Sequence, residues 1–272
     1  MGLETVLGLR KRGFFLPYRY AASVEPPASY PALETVFREA EADFETLLGH
    51  IQGLEPAIDR LSSDHGPCRF DQQWFPRLDG LAAYAMVRVR KPSLIVEVGS
   101  GHSTRFMARA IADGTLSTAF TCIDPEPRAS LAGLNVTWQR MVLQTVPCED
   151  LKALQSGDVL FVDSSHLLMP GTDVDHLISQ ILPSLPTGVL LHIHDIFLPD
   201  GYPESWAWRG YNEQSAVAAL LQGGGYKLLF SSRYVATRMK DRLAKSPPFL
   251  QKARVTADHD DLASSLWLQK VA

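Results

Sequence analysis

The apolar positions of this 272-residue chain change their period near residue 90. Between residues 31 and 61 they recur every third or fourth position. Leu33, Phe37, Phe44, Leu48, Ile51 and Ile58 share one stripe, and glutamates fill the other face. That spacing predicts an amphipathic segment, one long helix or two shorter ones, which Pro56 ends or kinks. Its apolar face reads as a packing surface, or alternatively as an oligomer interface. Residues 62–72, with Ser, Asp, Gly and Pro, predict a loop. A further helix is expected over 74–87, with Asp79 on it as a solvated acid.

After Lys91 short apolar runs alternate with helical stretches, which predicts a parallel sheet with helices on both faces. Strands are expected over 93–98, 119–124, 141–146, 158–163, 188–195, 226–230 and 264–269. Helices are expected after Pro125-Glu126-Pro127, over 172–185 and over 212–221. The polar, proline-containing stretch before the last strand is expected to be irregular. The fold class is therefore α/β. A doubly wound sheet domain over 91–272 follows an N-terminal helical extension or cap over 1–90.

One stretch carries more than packing. Residues 93–98 read as a buried strand, Gly99-Ser100-Gly101 as a turn, and the run from Arg105 as a helix. A strand, glycine turn and helix in series present backbone N–H groups to a ligand. Glu97 stands two residues before the first glycine, and Ser103 and Thr104 follow the second. A dinucleotide fingerprint would want a third glycine where Thr104 stands. Asp124 closes the second strand, where an acid accepts hydrogen bonds from the hydroxyls of a ribose. Two further strands end in ionisable groups: Asp163-Ser164-Ser165-His166 follows one, and His192-Ile193-His194-Asp195 closes the next. His192 and His194 share a face because side chains alternate along a strand. Carboxyl ends of adjacent central strands meet at one crevice, so Asp163, His166, His194 and Asp195 are candidate catalytic residues.

Charge and composition narrow the classes. The net charge is −4 and the pI about 6.1, with no basic excess to grip a phosphate backbone, so nucleic acid is a poor first guess. Cys68, Cys122 and Cys148 are odd in number and lack C-x-x-C spacing, which suits a reducing compartment. No apolar run approaches a membrane span, and Arg10, Lys11 and Arg12 precede no signal-peptide core. The aromatic, basic run over 13–20 suits packing on the main domain or a membrane or partner surface. Phe197, Tyr202, Trp206, Trp208 and Tyr211 predict an aromatic lid for a ring-shaped acceptor.

The pattern acid-x-Gly-x-Gly-x-Ser resembles the first motif of the class I S-adenosylmethionine (SAM) methyltransferases. With the stretches around Trp74–Val87, Phe161–Val174 and Leu190–Trp206, the likeness extends over roughly residues 70–270 to bacterial sugar and antibiotic O-methyltransferases. It implies a Rossmann-like seven-stranded sheet whose last strand runs antiparallel between the fifth and sixth. It implies a cofactor site built from Glu97, Gly99, Ser100, Gly101, Ser103 and Asp124, with Glu149 or Asp150 near the adenine. Glu97 is expected at the amino-acid end of SAM. The implied activity is methyl transfer in the cytoplasm to a small-molecule or glycan acceptor, at oxygen. In metal-dependent relatives an Asp after strand four and an Asp-Asn pair after strand five bind Mg²⁺. Asp163 and Asp195 match, and Ile196 stands where the third ligand would be. His166 is the substitute ligand here, with Zn²⁺, Fe²⁺ or Mn²⁺ better suited to imidazole, or the site is metal-free with a histidine base. An NAD(P)-dependent oxidoreductase and a non-catalytic nucleoside-binding protein are the competing readings.

Overall fold

Strand β1 (Leu94–Val98) is buried along most of its length and takes a parallel partner on each side. These are β2 (Ala119–Ile123) and β4 (Val159–Val162). Strand β3 (Thr137–Gln139) extends one side, and β5 (Leu190–Ile193), β6 (Tyr226–Ser231) and β7 (Leu266–Lys270) the other. The computed structural model, which describes residues 2–63, 66–147, 151–253 and 262–272, gives the order β3-β2-β1-β4-β5-β7-β6. β7 runs antiparallel to both of its neighbours. The Rossmann-like sheet with an inserted antiparallel last strand is thus the fold of the chain. Its central strands are almost continuously apolar because helices cover both faces.

Order reverses between β1 and β4, and there the ends of four strands are level. Val98 pairs with both Ile123 and Val162, and Val162 with Ile193. The next residues, Gly99, Asp124, Asp163 and His194, therefore stand in one row at the carboxyl edge. Backbone bonds continue through that row: Gly99 N–H to Ile123 O at 3.0 Å, Asp163 N–H to Val98 O at 2.8 Å and His194 N–H to Val162 O at 2.9 Å.

The N-terminal helices share one core with the sheet. After α1 (Gly2–Val6) come α2 (Glu34–Glu39), α3 (Glu41–Gly53), α4 (Glu55–Ser63) and α5 (Arg77–Arg90). The one or two helices expected over 31–61 are thus three, broken at Ala40 and at Leu54, ahead of Pro56. Phe44 on α3 meets Phe230 of β6 at 5.9 Å between ring centroids, and Phe37 stacks on Tyr234 at 5.6 Å. Helix α5 lies close on α6 (His102–Gly114): a Cβ on Gly80 would come within 2.9 Å of the Phe106 ring. Beyond β4, α7 covers 173–184 and includes a π turn over Leu177–Ile181. Then follow α8 (Glu213–Gln222), α9 (Ser232–Arg238), α10 (Lys240–Ala244) and α11 (Pro248–Gln251).

Several expectations are corrected. The third strand is Thr137–Gln139, not 141–146. It is an edge strand placed by pairing of Thr137 with Thr121, and its side chains are largely exposed, so hydrophobic pattern could not locate it. The apolar Leu143 and Val146 are buried beyond the sheet instead. No helix follows Pro125: Asp124 Oδ1 accepts Glu126 N–H at 2.7 Å and holds that turn. The stretch expected to be irregular holds α9, α10 and α11, whose Val235, Leu243 and Leu250 are buried. The aromatic run over 13–20 does not pack on the domain, and Phe15 and Leu16 are exposed. Asp79 is completely buried, not solvated.

Candidate active site

The glycine turn is shaped by contact with the neighbouring strand end. Gly99 has φ +80°, and a Cβ there would stand 1.7 Å from the Asp163 carbonyl oxygen, so no other residue fits. Gly101 is the residue before α6, and its N–H donates to Thr104 Oγ1 at 2.9 Å. Ser103 Oγ and Thr104 Oγ1 donate to the two oxygens of Glu97 at 2.6 and 2.5 Å. Glu97 is fully buried and lines neither cavity described below. Its burial pushes its carboxyl up to about 8. The structure places it beneath the turn, acting on any ligand through the two hydroxyls.

Two cavities open at the carboxyl edge of the sheet. The larger, about 370 Å³, runs over Gly99, Ser100, Asp124, Met141, Leu143 and Ser165. Asp124 accepts Ser100 N–H at 2.6 Å and Glu126 N–H at 2.7 Å, so it is locked in place with a lone pair left on each oxygen. The narrower, about 50 Å³, lies over Gly101, Ser103, His194, Asp195, Trp206 and Arg209. Ser100, Arg128 and Asp163 border both. The N-terminus of α6, with its free backbone donors, faces this junction. Ser100 Oγ and Ser164 Oγ are buried there without a partner. Glu149 and Asp150 lie outside the described residues.

Beneath the narrower cavity, acids and imidazoles alternate. His166 Nε2 lies 3.3 Å from Asp163 Oδ1 and 3.3 Å from Asp195 Oδ2, while its Nδ1 lies 2.9 Å from Glu213. His194 Nδ1 lies 3.5 Å from Asp163 and 3.4 Å from Asp195, and its Nε2 3.2 Å from Asp79. Each imidazole thus has one nitrogen toward the aspartate pair and the other against a fully buried carboxylate. Burial alone would lower both histidines. The acids overcome it, and both are held well above the ordinary histidine range. Burial would raise Asp163, but His194 and His166 hold it far below the carboxylate range. Burial raises Glu213 despite its bond to His166. His192 has turned away: it bonds Ser265 Oγ at 2.8 Å, stacks on Phe161 and is lowered by burial.

The scaffold over-determines this cluster. His166 and Asp195 both have positive φ, at 58° and 55°, a conformation that costs free energy for non-glycine residues and concentrates at functional sites. The His166 carbonyl accepts Asn212 N–H at 3.1 Å, and Asn212 Oδ1 accepts Leu168 N–H at 2.7 Å. These bonds stitch the loop after β4 to the start of α8. Asp79 accepts Ser264 and Ser265 N–H at 3.1 and 3.0 Å, which ties α5 to the strand that follows. Donor atoms of Asp163, His166 and Asp195 lie within 4.8 Å of one another.

A family model described as a methyltransferase domain matches residues 96–196. Over that span the chain is similar to methyltransferase domains. The matched span runs from β1 through the glycine turn, Asp124 and the Asp163 loop to Asp195, along the edge just described. No curated protein matches the chain. Solved structures that resemble it include a methyltransferase of Podospora anserina bound to S-adenosylhomocysteine. That one is 18% identical, covers 96% of this chain and 100% of its own, and has a TM-score of 0.44. A plantazolicin methyltransferase is 15% identical over 86% of this chain and 100% of its own, at 0.45. An O-methyltransferase from Bacillus cereus is 15% identical over 84% and 91%, at 0.35. Likenesses this distant say nothing about an acceptor.

Asp163, His166, His194 and Asp195 come together at one edge. Asp79 and Glu213 escaped the sequence reading as site residues, because an acid in the first turn of a helix ordinarily favours the helix dipole. Arg128, Arg209 and Trp74 escaped it as well. Only the Trp-Ala-Trp-Arg density around Arg209 signalled that region. Among the described residues no helix is long and apolar enough to cross a membrane.

Proposed function

We propose that this methyltransferase moves the methyl group of SAM to a hydroxyl of a small-molecule or glycan acceptor. The observation that carries the reading is Asp163, which borders both cavities at the point where donor and acceptor would meet. Asp124 holds the ribose, Gly99, Ser100 and Gly101 lie along the cofactor, and Ser103 with Glu97 fixes the turn under its amino-acid end. The larger cavity takes the adenosine. The reaction needs an acceptor oxygen in line with the methyl, a place for its proton, and exclusion of water. The lid aromatics Trp206 and Tyr211 serve the last requirement. His194 lines the acceptor cavity and has its Nε2 held by Asp79, so in its neutral form Nδ1 is the atom that receives the proton. Because the surrounding acids favour the protonated imidazole, transfer should rise with pH. We place the enzyme in the cytoplasm, where SAM is made.

Asp163, His166 and Asp195 fit a divalent cation. Two carboxylate oxygens and an imidazole nitrogen form a mixed donor set, and a buried carboxylate orients the outer nitrogen of His166, as carboxylates do for metal-bound histidines. Such a set suits Mn²⁺, Zn²⁺ or Fe²⁺ better than Mg²⁺. A bound cation would lower the pKa of the acceptor hydroxyl. Calorimetry with S-adenosylhomocysteine, followed by methyl transfer to a panel of hydroxylated acceptors before and after EDTA, tests the whole reading. Binding and transfer are expected, with transfer lost to EDTA and restored by a divalent ion. No binding of S-adenosylhomocysteine would sink the reading, and EDTA-resistant transfer would remove the metal alone.

A further inference from the structure

The acceptor cavity has two ends of opposite character. Its floor is acidic, with Asp163 and Asp195. Its rim carries Arg209, at the end of the turn Glu204–Arg209 in the lid. The Arg209 guanidinium carbon lies 4.1 Å from the Trp206 ring centroid and 5.4 Å from those of Trp208 and Tyr211. Nη1 donates to Tyr211 Oη at 3.0 Å, while Nε is buried without a hydrogen-bond partner. Among the described residues no carboxylate pairs with Arg209. Arg233 and Arg238 behave otherwise: both bind Asp200. Arg209 is therefore a guanidinium held by aromatic rings, facing a cavity, with donor capacity unspent.

A stacked guanidinium keeps its planar fork and presents it to a carboxylate or phosphate with little further loss of side-chain freedom. Arg128, whose guanidinium carbon lies 4.5 Å from the Trp74 ring centroid, adds positive charge where the two cavities meet. It serves cofactor and acceptor alike, whereas Arg209 lines the acceptor cavity only. We propose that Arg209 recognises an anionic group, a carboxylate or phosphate, on the methyl acceptor. Arg209 anchors that group at the rim, so the acceptor enters with its hydroxyl toward Asp163 and Asp195. This inference rests on the methyltransferase reading of the site.

The test compares matched probes on the enzyme loaded with S-adenosylhomocysteine. Calorimetry measures glucuronate and glucose 6-phosphate against glucose, and 3,4-dihydroxybenzoate against catechol. At least one charged probe should bind tenfold or more tightly than its neutral partner. The winning probe tells carboxylate from phosphate. Arg209→Gln should abolish the preference and leave affinity for S-adenosylhomocysteine unchanged, whereas Arg128→Gln should weaken both. No charge preference in any pair overturns the inference, whether both members bind alike or neither binds. A preference that survives Arg209→Gln also overturns it. Failure of the wild-type enzyme to bind S-adenosylhomocysteine brings down the methyltransferase reading and this inference together. Binding of S-adenosylhomocysteine without a charge preference brings down this inference alone.

Discussion

Asp124 and Glu97 stand one strand apart, yet neighbours give their carboxylates different work. Asp124 is nearly buried, but its oxygens accept two backbone N–H groups and still face a cavity. Asp124→Ala should weaken S-adenosylhomocysteine binding by about 1–3 kcal/mol, the scale of lost charged hydrogen bonds. Calorimetry on a variant that still melts cooperatively checks this, and unchanged affinity would remove Asp124 from the ribose. Glu97 has no cavity and is sealed inside, so its carboxyl rises from 4.5 to about 8. An unfolded chain ionises it near 4.5. Between those values the folded protein binds more protons, so stability should fall as pH rises from about 4.5 to about 8 and level off above. Glu97→Gln, neutral throughout, should escape that loss, which is at most about 5 kcal/mol. Melting curves from pH 5 to 8 that run parallel for the two proteins would contradict it.

At the scale of elements, the site depends on how closely β1 and β4 end. Gly99 has no room for a Cβ because the Asp163 carbonyl lies against it, whereas a Cβ on Gly101 would meet nothing closer than 3.6 Å. Gly99→Ala should therefore push the strand ends apart, lower the melting temperature and abolish cofactor binding. Gly101→Ala should melt like the wild type. Equal melting of the two variants would show that the turn is more pliant than this packing allows. The loop after β4 depends on α8 in the same way. His166 stays in a left-handed conformation because Asn212 and Glu213 hold it from behind.

For the whole molecule, the question is whether the N-terminal helices are an appendage. Phe37, Phe44 and Leu48 are fully buried and share a core with β6 and α9. Phe44→Ala should therefore cost about 3–5 kcal/mol, the usual loss for a buried aromatic, in a single cooperative transition seen by calorimetry. A separate low-temperature transition would mean that the extension folds by itself. The first 24 residues show the opposite character. Leu9, Phe15 and Tyr18 are exposed, and deleting residues 1–24 should leave the melting temperature unchanged.

The alternation of apolar runs with helical stretches after Lys91 was enough to imply a doubly wound sheet. The acids and glycines at its strand ends were enough to locate the edge where the two cavities open. Both follow from local rules: a strand buried on two faces must be apolar, and a tight turn against a neighbouring backbone must be glycine. Edge strand β3 was not legible in this way, because strand pairing and not burial places it. Asp79 was not legible either. Its burial depends on Ser264 and Ser265, 185 and 186 residues away along the chain. Nor could local pattern show that Glu213 and Asp79 back the two imidazoles, or that Arg209 borders the narrower cavity with no carboxylate partner among the described residues. These depend on which distant segments meet, and long-range packing alone decides that.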